Sequence, residues 1–199
     1  MRLANAAVVL GAMAVVLVGC SIGEAGNPTP ATTTTTSGKP TTTSGTASDR
    51  PKQIKLDGLD ACKALSANDQ KQLGTSVANP SKSDLIEGVE STTCRYITAA
   101  GVSPRFSYNV DLVTGKGFDH WKGSGNLDVS PTKVAGFPAK QVTFKGTSTL
   151  ECSVAVDVAD GQHLFVQFLP TGRDVPQETM CQNAAKGAEL ALATLQTLK

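Results

Sequence analysis

The sequence predicts an α+β fold: an antiparallel β-sheet flanked by N- and C-terminal helices and stapled by two disulfides. Three observations predict it. Residues 105–114 and 150–159 alternate apolar and polar side chains, the period of a half-buried strand. Asp160-Gly161 joins the second of these runs to an apolar stretch at 162–169, a two-residue hairpin signal that makes the neighbouring strands antiparallel. Cys181, Ala184, Ala188, Ala191, Leu192, Leu195 and Leu198 fall on one stripe at helical spacing.

The elements follow in chain order. Residues 59–65 (LDACKAL) read as a short helix, and Ser66 with Asp69 forms a capping-box pattern that starts a second one, ended by Gly74. Residues 92–98 (TTCRYIT) are rich in strand formers. A loop over 99–104, with Gly101 and Pro104, leads into the strand at 105–114, where Phe106, Tyr108, Val110 and Leu112 share one face and Ser107, Asn109 and Asp111 the other. Residues 117–123 (GFDHWKG) read as a helical turn, Gly136-Phe137-Pro138 as a bend and 139–145 as a further strand. The strands at 150–159 and 162–169 follow. The last helix opens with Asp174 and Gln177 in a capping-box-like arrangement and Pro176 in its first turn.

Five cysteines occur, at 20, 62, 94, 152 and 181. The last four form an even set, which in an exported chain implies two disulfides with three possible connectivities. We expect Cys62–Cys94 and Cys152–Cys181, because each pair joins a helix to a strand within its own half of the domain. Each closes a loop of about 30 residues, worth about 3.5 kcal/mol in the chain-entropy model. The spacings contain no C-x-x-C, and neither histidine lies within five residues of a cysteine, so no metal is expected.

The domain is preceded by two segments of different composition. Residues 6–18 are 13 consecutive residues without a charge, the length of a secretory apolar core and short of the roughly 20 residues of a membrane span. Leu17-Val18-Gly19-Cys20 follows directly and resembles a bacterial lipobox. The resemblance implies cleavage before Cys20, acylation of its sulfur with a palmitate-type chain and of its amine, and anchoring to the outer face of the cell membrane. Two or more acyl chains hold stably where one binds only marginally. Residues 1–19 are thus read as a signal peptide. Residues 20–53 are read as lipidated Cys20 and a disordered tether, because Thr supplies 10 of the 22 residues at 27–48 and Ser, Gly, Pro and Ala most of the rest. Such a tract is either an unmodified spacer or an acceptor of O-linked sugar. Residues 54–199 form a single domain of 146 residues, long enough for one core.

Eighteen Lys plus Arg face 17 Asp plus Glu, a net charge of +1, which gives no nucleic-acid footprint and no polybasic membrane patch. Catalytic candidates are few. The chain has two histidines, no G-x-S-x-G, no P-loop and no dinucleotide fingerprint. Asp157 and Asp160 read as a strand residue and a turn residue rather than an acid pair. No cofactor is expected, and the protein is read as non-enzymatic. The one spot with convergent chemistry is Phe118, His120 and Trp121, flanked by glycines. These residues either line a ligand groove or simply cover the sheet edge. Phe165 and Leu169 lie on the opposite parity from Leu164, Val166 and Phe168, so that strand is apolar on both faces. Its second face is either covered, by the C-terminal helix, or binds something.

Taken with the lipobox and the Thr/Pro/Ser linker, Asp60-Ala61-Cys62 with Leu65, Thr93-Cys94-Arg95-Tyr96, Gly136-Phe137-Pro138-Ala139, and the late Cys152 and Cys181 resemble the actinobacterial lipoprotein family of unknown function called DUF3558. The family usually carries Trp where this chain has Tyr96. The resemblance implies a surface lipoprotein and no activity, and the element order is similar to the Mog1/PsbP-like fold. Two functional expectations follow. The first is a non-enzymatic binding or accessory domain for an envelope protein, tethered through Cys20. The second is a carrier of a lipid or small apolar ligand.

Overall fold

The computed structural model describes residues 49–146, 150–172 and 174–198, all of which belong to one compact unit, Gly45–Lys199. The expected signal peptide, Cys20 and most of the tether lie outside the described residues. Seven strands form: β1 (Thr75–Ile86), β2 (Val89–Thr98), β3 (Phe106–Val113), β4 (Leu127–Val134), β5 (Phe137–Phe144), β6 (Cys152–Ala159) and β7 (Gln162–Pro170). They make one sheet in the order β1-β2-β3-β7-β6-β5-β4, with every neighbouring pair antiparallel.

The C-terminal helix α2 (Gln177–Leu195) crosses one face. Its Met180, Ala184, Ala188, Leu192 and Leu195 are buried against the side chains that alternate inward on the central strands: Tyr108 and Val110 of β3, Val154 and Val156 of β6, Leu164 and Val166 of β7. Small residues on the helix let it sit close. A Cβ placed on Gly187 would stand 3.0 Å from two carbons of the Tyr108 ring. Helical structure at the N-terminal side is slight: a 3-10 turn, Ala61–Lys63, and a six-residue helix α1 (Ala67–Gln72). The capping box at α1 is complete, with Ser66 Oγ accepting from the Asp69 N–H and Asp69 Oδ2 accepting from the Ser66 N–H. Asp69 Oδ2 also accepts from Thr194 Oγ1 at 2.9 Å, which ties α1 to the end of α2. Burial pushes the Asp69 carboxyl up, but these hydrogen bonds and the charge of Lys186 outweigh it and hold the group below its ordinary range.

The disulfides join Cys62 to Cys94 and Cys152 to Cys181. The first fixes the 3-10 turn to β2, and the second fixes α2 to β6.

Several elements differ from the sequence expectation. The sheet has two more strands than the alternation signals, β1 and β4, and both are edges. β1 is exposed along most of its length and shows no apolar period, while β4 alternates only at Leu127 and Val129, which pack on the Trp121 cluster, and is exposed from Ser130 to Lys133. Each carries a proline, Pro80 or Pro131, which removes a backbone donor and blunts the edge against pairing with another chain. The expected bend at Gly136-Phe137-Pro138 is instead a two-residue turn at Ala135-Gly136, both with positive φ, and Phe137 already pairs with Val134. α2 begins at Gln177 with Pro176 as N-cap, whose ring offers no acceptor for a side-chain cap, and the Gln177 amide donates across to the Glu151 carbonyl at 3.0 Å. Arg50, expected in the tether, is pinned to the β6–β7 hairpin, its guanidinium donating to Asp157 at 2.5 Å and also to Asp160. The folded part therefore begins ahead of Ile54.

Candidate functional site

Phe118 and His120 lie on a 3-10 turn, Phe118–His120, and Trp121 closes it. The turn is held over the sheet face opposite α2. Lys140 Nζ donates to the Trp121 carbonyl at 2.8 Å and sits 4.3 Å from the centre of the Phe118 ring. The indole of Trp121 stacks on Phe165, with centroids 4.4 Å apart and planes at 17°. Its Nε1–H donates to His163 Nε2 at 2.9 Å, and His163 Nδ1 donates in turn to the Lys116 carbonyl at 2.8 Å. The two bonds require a neutral imidazole protonated on Nδ1. Burial pushes the His163 pKa down to about 4.

Trp121 is 7% exposed and packs as a wedge among Phe165, Val142, Ala155 and Val113. Of the two readings of Phe118, His120 and Trp121, the indole follows the second and covers the sheet. His120 is exposed beside it. The second face of β7 is covered at Phe165 by Trp121, not by α2, which packs on Leu164, Val166 and Phe168. Cover from this side also buries Ser107 and Asp111, so β3 is closed on both faces for most of its length. Asp111 is 1% exposed, and its Oδ1 accepts from Thr93 Oγ1 at 2.5 Å while Oδ2 has no partner. Burial pushes its pKa up to about 6, against the opposing pull of the Thr93 and Ser83 hydroxyls.

A recess lies elsewhere among the described residues, on the α2 side of the sheet, beside the segment from Leu56 to Ala61. One cleft of about 480 Å³ runs between Leu59, Asp60 and Ala61 on one wall and Pro80, Lys82 and Thr92 on the strands. A second, of about 370 Å³, continues from Leu59 and Thr92 past Asp57 to Glu90 and Leu112. A third, of about 480 Å³, opens at Lys82, Asp84 and Glu90 beside the β1–β2 turn. The three meet around Lys82 and Glu90, whose side chains pair at 2.7 Å and remain largely exposed. Together they make a trough along β1 and β2.

Its wall is fixed at several points. The Cys62–Cys94 disulfide holds one end. Tyr96 Oη donates to the Ala61 carbonyl at 2.8 Å and accepts from the Leu65 N–H at 3.3 Å. This double role explains why a phenol serves at this position, and burial pushes its pKa up to about 12. Gln162 closes the other end: its Oε1 accepts from the Leu56 N–H at 2.7 Å and its Nε2 donates to Asp57 Oδ2 at 2.6 Å. Sequence reasoning missed the trough because it missed β1. The available signal was Glu87-Gly88 between Ile86 and Val89, a two-residue turn with Gly88 at φ +73 and opposite charges at Lys82 and Glu90 on its two arms.

Among the described residues, no group of three or more His, Cys, Asp and Glu is placed to hold a metal ion, and no helix is long and apolar enough to cross a membrane. Residues 15–194 match the family model described as "Protein of unknown function (DUF3558)". No curated protein and no solved structure matches the chain.

Proposed function

The chain belongs to the DUF3558 family, described as of unknown function, and from that premise we propose that it is a non-enzymatic binding or accessory domain, tethered to the outer face of the cell membrane through acylated Cys20. The observation that carries this reading is the trough along β1 and β2. Its wall is locked by a disulfide and by Tyr96 and Gln162, so a partner meets a preformed surface and loses little to ordering it. The anchor rests on Leu17-Val18-Gly19-Cys20 and the Thr-rich tract after it. The actinobacterial origin and the Mog1/PsbP-like likeness belong to the same reading; an antiparallel sheet crossed by a helix supports the latter.

The experiment uses the full chain in its own membrane, with a photo-crosslinking amino acid at Thr92. Discrete, light-dependent adducts are expected from Thr92 and not from Gln182, which is exposed on α2. Identical adducts from both positions, or none from Thr92, would overturn the reading. Cys20→Ser is expected to abolish incorporation of an alkyne-labelled fatty acid, and retained label would remove the anchor.

The second reading is a carrier of a lipid or small apolar ligand. It draws on the apolar end of the trough, Leu59, Ala61 and Pro80. Solvent extraction of the native protein followed by mass spectrometry separates the two: a stoichiometric lipid supports the carrier, an empty protein the binding domain.

A further inference from the structure

We infer that the trough takes an extended, basic segment of a partner protein, its apolar side chains against Leu59, Ala61 and Pro80 and its cationic ones against Asp84 and Glu90. This rests on the binding-domain reading above. The charge balance of the trough departs from that of the chain. Asp57, Asp60, Asp84 and Glu90 border the three clefts, against Lys82 alone, a net of −3 (one minus four) on a chain whose total is +1. Lys82 and Glu90 pair with each other, so the net of −3 is carried by Asp57, Asp60 and Asp84. The four carboxylate-bearing residues are all exposed, so the surface repels nucleic acid and anionic headgroups and attracts cations.

An extended segment suits the floor. The floor is two neighbouring strands with the wall of Leu59, Asp60 and Ala61 beside them, and an extended chain laid along it presents alternate side chains to it. From Pro80 to Asp84 the floor runs about 13 Å at the strand rise, the length of about four extended residues. The outer edge of β1 is a poorer dock, because Pro80 interrupts its donors. The trough thus offers side-chain recognition: an apolar pocket at one end, carboxylates at the other.

The test measures binding to the full chain purified from membranes into neutral-lipid nanodiscs. The probes are fluorescein-labelled hexapeptides of alternating Leu-Arg, Leu-Glu and Ser-Arg, read by anisotropy against empty nanodiscs. Saturable binding of Leu-Arg is expected, at least about tenfold tighter than either of the others. The double variant Asp84→Asn/Glu90→Gln is expected to bind Leu-Arg about fivefold more weakly, the size of two exposed charge contacts, with an unchanged melting temperature. Thr92→Trp, which fills the floor, is expected to abolish binding. Equal affinity for Leu-Glu, an unaffected double variant, or no saturable binding overturns the inference. Self-association lost in Thr92→Trp, or docking on anionic vesicles lost in the same variant, also overturns it, by assigning the trough to a second copy or to lipid. Light-dependent adducts from Thr92 in cells, combined with no preference for Leu-Arg, sink the basic partner and leave the binding domain standing. Absence of both sinks the binding domain itself.

Discussion

Trp121 donates its indole N–H to His163 Nε2 across 2.9 Å, a bond that joins the loop after β3 to the start of β7. It exists only while His163 is neutral, because a proton on Nε2 would set two donors against each other. The other titratable and cationic groups near the ring are His120, Lys140 and Asp157, of which the first two oppose its protonation and the third favours it.

Acid should therefore loosen this side of the sheet. The folded-state pKa, about 4, lies below the ordinary 6.5, so the contribution is complete above pH 6.5 and is lost as pH falls toward 4. Its full size is about 3 kcal/mol. Melting temperature followed from pH 7 to 4 should fall more steeply for the wild type than for His163→Gln. The emission of Trp121, the only tryptophan, should shift to the red over the same interval.

The wedge itself can be weighed by truncation. Trp121→Ala removes the stack on Phe165 and opens a cavity lined by Val142 and Ala155. The expected loss is about 3–5 kcal/mol in urea unfolding. His120→Ala, at an exposed neighbour, should stay within about 0.5 kcal/mol. Equal small effects from both would show that the indole lines an opening instead of filling one.

Asp111 makes the opposite pH prediction. Its folded pKa, about 6, lies above the ordinary carboxyl value, so ionisation costs stability as pH rises from about 4 through 6. Asp111→Asn keeps an oxygen to accept from Thr93 Oγ1 and cannot ionise. It should stabilise the protein at pH 7 by up to about 3 kcal/mol, with the gain vanishing below about pH 4. A gain that is independent of pH would place the carboxyl in the ionised form throughout.

These residues also mark how far the sequence can be read. β3, β6, β7 and α2 were legible because each packs one face on the core under α2, so burial writes a period of 2 or 3.6 into the chain. β1 and β4 were not, because β1 is exposed along most of its length, β4 alternates only at Leu127 and Val129, and Pro80 and Pro131 argue against a strand locally. With β1 hidden, Lys82 and Pro80 had no place beside Leu59 and Thr92, and the trough was invisible. Trp121 stood out by composition, but only its distant contacts with Phe165 and His163 distinguish a wedge from a groove wall. The polar face of β3 misled for the same reason: the cover that buries Asp111 comes from residues far away in the chain.

Gly187 tests how closely α2 is held to the sheet. The ring of Tyr108 and Cγ1 of Val166 stand 3.0 and 3.2 Å from where its Cβ would be. Alanine gains about 1 kcal/mol of helix propensity and loses about 1–3 kcal/mol to overpacking, so Gly187→Ala should be neutral to about 2 kcal/mol destabilising. Leucine has no room unless the helix lifts. The Cys152–Cys181 bond, at the start of α2, resists that movement. Gly187→Leu should therefore cost about 3 kcal/mol or more in urea unfolding, while the disulfide keeps the first turn of α2 protected in hydrogen exchange and the turns beyond Gly187 lose protection. Uniform loss of protection along α2 would mean that the helix moves as one body and that the disulfide does not hold its start.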